Sequence, residues 1–347
     1  QAVLAAGALE RPIAFPLNDR PNIMLASAVR TYLARFGVVP GRKMTLFATN
    51  DSAHKTALAL QEAGVEVAAV IDSRLDAEAQ GDYKLIEGGQ VIGTKGRHGL
   101  SQITVRHGGQ EQQIETDALA MSGGWNPNVH LTCHLGARPV WTEAIKGFIP
   151  SQGAVPNMTP AGACNGVFDT QGCLSAGAEA AKAALKALGK RAKATQLPQA
   201  SSEVGASQAL WYVEGKGRAW LDFANDVTTK DVRLAAKENY ASVEHMKRYT
   251  TQGMAPDQGK NSNIAALAVL ADATGRGIPE TGTTVFRPPF VPVSMAALGA
   301  GGKGKGFAPE RFTTSHQASL DRGAAMVEAG LWYRPSYFPR RGETTWR

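Results

Sequence analysis

Residues 44–74 read MTLFATNDSAHKTALALQEAGVEVAAVIDSR and contain three successive patterns. The first six residues form an apolar stretch typical of a strand, and residues 50–52 (Asn-Asp-Ser) supply side chains that cap helices. The helical spacing of apolar residues that follows ends at Gly64, and residues 65–74 form a second apolar stretch with Asp72 near its end. A strand, a helix and a strand within about 30 residues outline half of a Rossmann fold, so the chain is predicted to be an α/β protein with a dinucleotide-binding region.

The turn between this first strand and its helix lacks the glycines of a dinucleotide fingerprint. TNDSAHKTA (49–57) occupies the turn, and without glycines a pyrophosphate cannot approach the backbone closely. Two interpretations stay open: a dinucleotide site with an altered turn, or a structural copy of the half-fold that binds no ligand.

The flanking stretches extend the same region. NIMLASAVRTYLARF (22–36) has helical spacing and ends before Gly37, whereas residues 84–120 alternate like a meander of short strands that leads to an apolar strand. GGWNPN (123–128) predicts a glycine-rich turn. QAVLAAGALE (1–10) resembles a buried strand that runs into a small-residue turn, and it has neither an initiating Met nor a signal sequence. We therefore expect the chain to be a fragment or a processed piece.

Residues 157–189, NMTPAGACNGVFDTQGCLSAGAEAAKAALKALG, predict a second strand-to-helix turn. Small residues at 161–163 precede a long alanine-rich helix. Such residues allow a ligand's phosphates or ribitol to meet a helix N-terminus. Close helix packing by Ala and Gly explains the same composition equally well.

Composition excludes several classes of protein. The chain has 347 residues, 43% of them hydrophobic, a formal net charge of +7 and three cysteines. This is too apolar for a disordered chain and too poor in cysteine for a disulfide scaffold, and no apolar run approaches the roughly 20 residues of a membrane span. We predict a cytoplasmic protein that contacts phosphate groups, and neither nucleic acid nor a membrane, because its cations are dispersed.

The polar segment KRAKATQLPQASSEVGAS (190–207) is the best candidate for a domain boundary. Farther on, GAGGKGKGF (299–307) is typical of a mobile loop, in which Lys303 and Lys305 are candidates to meet an anion.

Residues 221–263 carry a long motif, which includes SVEHMKRYTTQGM and DQGKNSN. In this motif the chain resembles the alpha-subunit family of heterotetrameric sarcosine oxidases. AMSGGWNPNVHL (120–131), TTVFRPPFVPVSMAALG (283–299) and LWYRPSYFPRRGE (331–343) fit the same family, so the resemblance covers essentially the whole chain.

The resemblance implies the following domain organisation. Residues 1–192 are a partial dinucleotide-binding region with an inserted Rossmann-like half at about 42–120. Residues 193–207 are a linker, and 208–280 a small helical central domain. Residues 281–347 begin a folate-binding, aminomethyltransferase-like α+β domain. Because the family's alpha subunit has about 1,000 residues (a family figure), we expect this chain to be a middle piece.

The central domain also resembles the small helical [2Fe-2S] modules of related amine and amino-acid dehydrogenases. The positions that match the four cluster cysteines are Asp222, Ala224, Asp257 and Ser262. Because a four-thiolate cluster needs four thiolates, we predict a helical module that has lost its metal.

The resemblance also implies cofactor-binding residues. For NAD they are Ala163, Phe168 and Thr170, which match the second contact segment of the dinucleotide fold. For the phosphate of an FMN at the interface with the beta subunit we expect Lys247, Arg248, Thr250, Thr251 and Lys260, with Ser262 beside them. A solvated basic helix is the alternative for this second set.

No catalytic residue and no metal site is predicted in this chain. His130, Cys133 and His134 form H-x-x-C-H, whose histidines are suitably spaced on a helix to bind a metal, but a fourth ligand is not evident nearby. The sequence shows neither a Ser-His-Asp arrangement nor paired carboxylates.

By resemblance, the chain contributes NAD binding and a flavin interface to an enzyme assembled with beta, gamma and delta subunits. That enzyme oxidises sarcosine with O₂ to glycine and H₂O₂ and passes the one-carbon unit to tetrahydrofolate, giving 5,10-methylenetetrahydrofolate. FAD belongs to the beta subunit, and the folate-binding residues lie outside this chain. The alternatives are a noncatalytic scaffold with a vestigial dinucleotide site and a subunit of an NAD- or FAD-linked amine or opine dehydrogenase.

Overall fold

The computed structural model describes residues 1–193, 196–200, 205, 207–298 and 309–343. The strands in this part of the chain are β1 (Ala2–Leu4), β2 (Ala8–Glu10), β3 (Ile23–Leu25), β4 (Lys43–Ala48), β5 (Glu66–Asp72), β6 (Leu85–Glu87), β7 (Gln90–Lys95), β8 (Gln102–His107), β9 (Gln110–Glu115), β10 (Ala118–Ser122), β11 (Trp125–Pro127), β12 (Val140–Thr142), β13 (Gly147–Ile149), β14 (Met158–Pro160), β15 (Trp220–Asp222), β16 (Val227–Thr228), β17 (Arg311–Phe312), β18 (Ala325–Ala329) and β19 (Trp332–Tyr337). The helices are α1 (Ala26–Phe36), α2 (Asp51–Glu62), α3 (His130–Cys133), α4 (Thr170–Ala187), α5 (Thr229–Lys237), α6 (Val243–Thr250), α7 (Asn263–Thr274), α8 (Ile278–Thr281), α9 (Met295–Leu298) and α10 (His316–Asp321).

A parallel five-stranded sheet in the order β3-β10-β4-β5-β6 is the centre of the region that is predicted to bind a dinucleotide. The predicted strand-helix-strand unit of residues 44–74 is confirmed as β4, α2 and β5. Asn50 caps α2, since its side chain accepts a hydrogen bond from the backbone N–H of Ser52 at 3.0 Å. Gly64 follows the helix end with φ 76°, a left-handed conformation that suits glycine.

Both faces of this sheet are covered. Helices α1 and α2 pack on one face, over an apolar cluster that includes Val29, Leu46 and Leu60. The antiparallel meander β7-β8-β9 was predicted from the alternation of residues 84–120. It contributes Val91, Ile103 and Val105 to a second cluster that contains residues of β4 and β5. Strands of a sheet that is covered on both faces bury their side chains on both faces, which explains why these strands have continuous apolar sequences.

The prediction of a helix over residues 22–36 is wrong at its start. Ile23–Leu25 form β3 and pair in parallel with β10, and the helix begins only at Ala26. The edge of the sheet offers these three apolar residues both backbone partners and partial burial, which outweighs their helical spacing. The end is confirmed, since Gly37 closes α1 with φ 65°.

A second group of short strands flanks the sheet. β1 pairs in parallel with β14, and β2 pairs in antiparallel fashion with β11. The strand predicted at residues 1–10 is therefore two short strands, buried at Leu4 and Glu10 but exposed at Ala2 and Val3. Likewise, GGWNPN contains a turn only at its two glycines, because Trp125–Pro127 form β11.

The predicted small helical domain is built around α7. Residues 263–271 of this helix are all buried, and α5, α6 and the β15-β16 hairpin contribute to the same core. A helix that is apolar on every side must lie at the centre of a domain. Residues 281–290 pack with these helices: the backbone N–H of Val285 donates to Glu244 of α6 at 2.9 Å.

The chain divides into two compact units, Gln1–Phe290 and Val291–Arg347. In the described part of the second unit, β18 pairs with β19 in antiparallel fashion and β17 pairs with β19 in parallel. The start of an aminomethyltransferase-like domain stays a prediction for this unit, as do the boundaries at 192, 207 and 280. Lys303 and Lys305 lie outside the described residues. Within those residues, no helix combines the length and the apolar character of a membrane span.

Candidate functional site

The β4–α2 turn, where a Rossmann half would bind pyrophosphate, is filled by the chain's own side chains. The amide of Asn50 donates to the backbone carbonyl of Ser122 at 3.1 Å and to its hydroxyl at 3.0 Å. Asn50 is only 3% exposed. The turn is thus held by buried hydrogen bonds in place of the glycines that a pyrophosphate would need.

Residues at the end of the predicted linker and just after it cover the same turn. The backbone N–H of Gln208 donates to the carbonyl of Thr49 at 2.9 Å, and Ser207 forms an antiparallel bridge with Asn50. Ligands of parallel α/β sheets bind outside the carboxyl ends of the strands, which is where this segment lies. The geometry therefore favours the structural-copy interpretation over a dinucleotide site at this turn.

Asp72, at the end of β5, belongs to a buried polar network. Its carboxylate accepts hydrogen bonds from His54 Nε2 at 2.9 Å and from Arg74 Nη2 at 2.7 Å, and Arg74 also pairs with Asp51 at 2.7 Å. The Asp72 and His54 side chains are fully buried. Burial opposes ionisation, but the bonds from His54 and Arg74 outweigh it and hold the pKa of Asp72 below its usual value.

Tyr83 contacts the other side of the His54 ring. The Tyr83 hydroxyl accepts the backbone N–H of Gln80 at 3.0 Å and lies 2.7 Å from His54 Nδ1. His54 therefore links Tyr83 to Asp72 through its two ring nitrogens. An acidic residue at this position of a Rossmann half ordinarily binds ribose, but here protein groups occupy it. His54, Arg74 and Tyr83 were not predicted as members of a site, although an Arg two residues after Asp72 was a visible signal.

The second predicted turn has the expected place in the fold. Strand β14 leads through the 3₁₀ turn Gly162–Asn165 into α4, and Gly162 has φ 70°. Ala163 is half-buried in the turn, Phe168 is 42% exposed, and Thr170 is exposed at the first position of α4. The structure therefore places all three predicted NAD contacts along one short segment.

Two features restrict what this turn can bind. Asp169 caps α4, accepting the N–H of Gly172 at 2.7 Å, so a carboxylate already occupies the helix N-terminus. Cys164 and Cys173 donate to the carbonyls of Leu4 and Val167 and fix the turn. The negative charge of Asp169 disfavours a phosphate at this helix end but leaves neutral ligand groups unaffected.

The residues predicted to contact the flavin phosphate separate into two groups: four lie on or at the end of α6, and Lys260 lies apart from them. Lys247 and Arg248 of α6 both pair with Glu244, at 4.0 and 2.7 Å. Burial opposes ionisation of Glu244, but the Val285 N–H and these two cations outweigh it and lower its pKa.

Thr250 and Thr251 lie at the end of α6. The Thr250 hydroxyl donates to the carbonyl of Met246 at 2.8 Å, and Thr251 ends the helix with φ 63°.

Lys260 contacts other groups. Its ammonium donates to the carbonyls of Asp257 and Phe290, lies 4.4 Å from the centre of the Phe290 ring, and lines a pocket that also contains His130.

The four positions aligned with cluster cysteines form hydrogen bonds instead of a cluster of ligands. Asp222 is 4% exposed and accepts the backbone N–H groups of Ala224 at 3.0 Å and Gly253 at 2.8 Å. The Ser262 hydroxyl accepts the amide of Gln252 at 2.7 Å. Asp257 accepts the N–H of Gly259 at 3.2 Å. Nowhere in the described ranges do three or more His, Cys, Asp or Glu side chains converge as metal ligands.

The H-x-x-C-H motif lies in an apolar environment. Cys133 packs with Val129 and Phe286, and burial raises the pKa of its thiol to about 11. The His130 ring lies 4.0 Å from that of Phe286, centre to centre.

Three comparisons with known proteins cover different shares of the chain. The family model "Sarcosine oxidase A3 domain" matches residues 216–302. Sarcosine oxidase subunit alpha of Rhizobium meliloti (strain 1021) is 44% identical over 352 residues, which cover 100% of this chain and 36% of the relative. The same subunit of Corynebacterium sp. (strain P-1) is 41% identical and is covered to 38%. The chain thus spans somewhat more than a third of the length of these curated relatives.

The solved structure of L-proline dehydrogenase from P. horikoshii shares the fold. It has a TM-score of 0.67 at 18% identity, and the match covers 85% of this chain and 58% of that one. This likeness concerns the fold alone and agrees with the predicted α/β class. Over its whole length the chain is therefore similar to a segment of sarcosine oxidase alpha subunits, and residues 216–302 match the family's A3 domain.

Proposed function

We propose that the chain is the dinucleotide-binding and flavin-facing segment of the alpha subunit of a sarcosine oxidase. The observation that carries this proposal is the 44% identity to a sarcosine oxidase alpha subunit over the whole chain. The assembly would oxidise sarcosine with O₂ to glycine and H₂O₂ and pass the one-carbon unit to tetrahydrofolate. We expect beta, gamma and delta subunits as partners, FAD in the beta subunit and FMN at its interface with alpha.

The residues present fit NAD at one of the two candidate turns. At the β4–α2 turn they do not fit, because Asn50 fills the turn and Gln208 covers it. At the turn before α4 the small side chain of Ala163 and the left-handed Gly162 allow close approach to the backbone, while Phe168 and Thr170 present exposed side chains. When bound, the dinucleotide supplies a hydride-accepting ring. The chain's own part is to bind and orient it.

Thr170→Trp tests this placement in the intact natural protein. We expect the amount of NAD released on denaturation to fall severalfold, because the indole would occupy the space beside Phe168. Lys182→Trp, on an exposed side chain farther along α4, is the matched control and should keep its NAD. Unchanged NAD in the Thr170 variant would remove Ala163, Phe168 and Thr170 from the site.

For the flavin interface we propose Lys247, Arg248, Thr250 and Thr251 as contacts. Glu244, in the first turn of α6, holds both cations of the last turn, so a phosphate would share them with that carboxylate. Lys260 was predicted with this set, but its ammonium is directed at the Phe290 carbonyl. Arg248→Met should lower the FMN content of the assembly more than Lys260→Met does.

A noncatalytic scaffold is the second candidate, favoured by the closed β4–α2 turn. Cofactor analysis of the purified assembly separates the candidates. Extractable NAD with covalent FMN supports the oxidase, and neither cofactor supports the scaffold. NAD or FAD without covalent FMN would support an amine or opine dehydrogenase.

A further inference from the structure

Four large apolar side chains of the helical domain lie at its surface instead of in its core. They are Phe223, Tyr240, Tyr249 and Met254, and their relative exposures range from 38% for Tyr240 to 55% for Met254. Single exposed apolar residues are common on soluble proteins, whereas a contiguous group of them marks an interaction site. These four residues are called the apolar patch below.

Tyr240 and Tyr249 form one half of the apolar patch. Their rings stack with centres 4.5 Å apart and planes 25° apart. The Tyr249 hydroxyl donates to the Glu238 carboxylate, and the backbone N–H of Tyr240 donates to the carbonyl of Ala235 in α5 at 2.9 Å. Both tyrosines are therefore held in place although they are exposed, and a partner that binds them loses little entropy in ordering them.

Phe223 and Met254 form the other half. Phe223 directly follows the buried Asp222, and Met254 directly follows Gly253, whose backbone N–H donates to the Asp222 carboxylate at 2.8 Å. This bond joins the two loops that carry the exposed side chains. The Met254 N–H donates to the carbonyl of Thr251, the C-cap of α6, at 3.0 Å. The second loop thus begins where the helix of the tyrosine pair ends, so the two halves are continuous.

The charges of this surface lie at its margin. Residues 249–254 (YTTQGM) and 223–225 (FAN) carry no formal charge at pH 7. The exposed charged residues Arg248, Glu238 and Asp226 lie directly beside these stretches. An uncharged centre that contains aromatic residues and Met, with a polar rim around it, is the composition of a protein–protein interface.

The position of the apolar patch favours one partner. Tyr249 lies between Arg248 and Thr250, two of the residues proposed to contact FMN, and Thr251 follows them. An FMN that reaches these residues while attached to another subunit brings the surface of that subunit against the patch. The two sarcosine oxidase relatives are likewise subunits.

We propose that the apolar patch is a docking surface for the beta subunit, which carries the flavin, and that Tyr249 and Met254 are its energetic centre. The inference rests on the proposed function, because the proposed flavin contacts identify the partner. It adds a contact between two proteins, made by side chains that have no part in holding the cofactor.

Photo-crosslinking in the complete purified assembly identifies what covers the patch. Met254→p-benzoylphenylalanine should form a covalent adduct with the beta subunit on irradiation, which mass spectrometry locates. Phe36→p-benzoylphenylalanine is the matched control, since Phe36 is 67% exposed on α1, outside the patch. The control should form no adduct with beta.

The affinity of the intact alpha subunit for beta measures the contribution of each side chain. Met254→Glu should weaken association by about tenfold or more, because it buries an unpaired charge, whereas Met254→Leu should keep the affinity. Tyr249→Ser should also weaken association by about tenfold, and Tyr249→Phe, which keeps the ring, should not. Phe36→Glu should leave it unchanged. Unaltered melting temperatures of the free variants would show that folding is intact.

Adducts of position 254 only with other parts of alpha, a second alpha, gamma or delta would overturn the proposal. Absence of any adduct, or equal association of Met254→Glu and wild type, would overturn it too. An assembly without covalent FMN would contradict the proposed function instead, and an adduct with beta in that assembly would still support the docking surface. If no beta subunit copurifies, both fail.

Discussion

Replacing Asp72 by Asn should strongly destabilise the parallel sheet. The substitution keeps the shape of the side chain but removes the charge that His54 and Arg74 contact at 2.9 and 2.7 Å. Arg74 has a side-chain exposure of only 6%, so water cannot replace the lost partner. Asp51 still pairs with Arg74 at 2.7 Å, which keeps part of the network.

The size of the effect follows from burial. Removing one member of a buried charge pair costs about 3–5 kcal/mol because the other is left uncompensated. Since Arg74 retains Asp51, we expect the lower end, about 3 kcal/mol. Hydrogen exchange of β4 and β5 in the intact protein measures the local free energy of opening without assuming two-state unfolding. At about 1.4 kcal/mol per factor of ten, the protected amides should exchange roughly a hundredfold faster.

Glu66→Gln on the same strand is the matched control. Glu66 pairs with Lys43 at 3.2 Å, but their side chains are 60% and 41% exposed. Exposed pairs contribute less than about 1 kcal/mol, so exchange should change little. If Asp72→Asn altered exchange no more than Glu66→Gln does, the buried network would not stabilise the sheet.

The same network has a defined pH dependence. The pKa of Asp72 is lower in the folded state than its ordinary value, so its contribution is complete above the unfolded pKa of about 3.9 and is lost as pH falls through the folded pKa. Wild-type protection in β5 should therefore decline below about pH 4 by an increment that Asp72→Asn lacks.

Two further predictions concern the helical domain. Asp222→Ala should lower the stability of this domain by about 2–3 kcal/mol, because the buried N–H of Gly253 loses its acceptor. Asp222→Asn should recover part of the loss. Thermal unfolding of the intact protein measures both effects. Gly259→Ala should lower the melting temperature more than Gly275→Ala, although both glycines have positive φ: a Cβ at 259 would lie 2.2 Å from Asn263 Oδ1, whereas one at 275 meets nothing within 4 Å. Equal shifts would show that backbone conformation alone decides the cost.

The parts of the fold that were predicted from sequence depend on local signals. The strand β4, the cap at Asn50 and the strand β5 lie within 30 consecutive residues, 43–72, and each has a pattern that a short window reveals. The start of α1 was mispredicted because the decisive contact, the pairing of Ile23 with Leu119, is distant in sequence.

A candidate site could be predicted from the sequence only where its residues lie close together in one motif. Ala163, Phe168 and Thr170 share one segment, so family resemblance was sufficient to group them. The apolar patch instead combines Phe223 with Met254, whose loops only the tertiary fold brings together. No periodicity or spacing indicates that these side chains will stay exposed, because that depends on which distant residues cover them.

The charges at the two candidate turns bear on how a dinucleotide would be held. A pyrophosphate ordinarily contacts a helix N-terminus, but Asn50 and Gln208 close that position at α2, and the Asp169 carboxylate occupies it at α4. Contacts from Ala163, Phe168 and Thr170 are therefore better suited to the uncharged ribose or base of NAD than to its phosphates. If so, Asp169→Asn should leave NAD content unchanged or increase it, since removing the carboxylate relieves repulsion without removing the cap. A loss of NAD in that variant would instead indicate that Asp169 itself hydrogen-bonds the ligand.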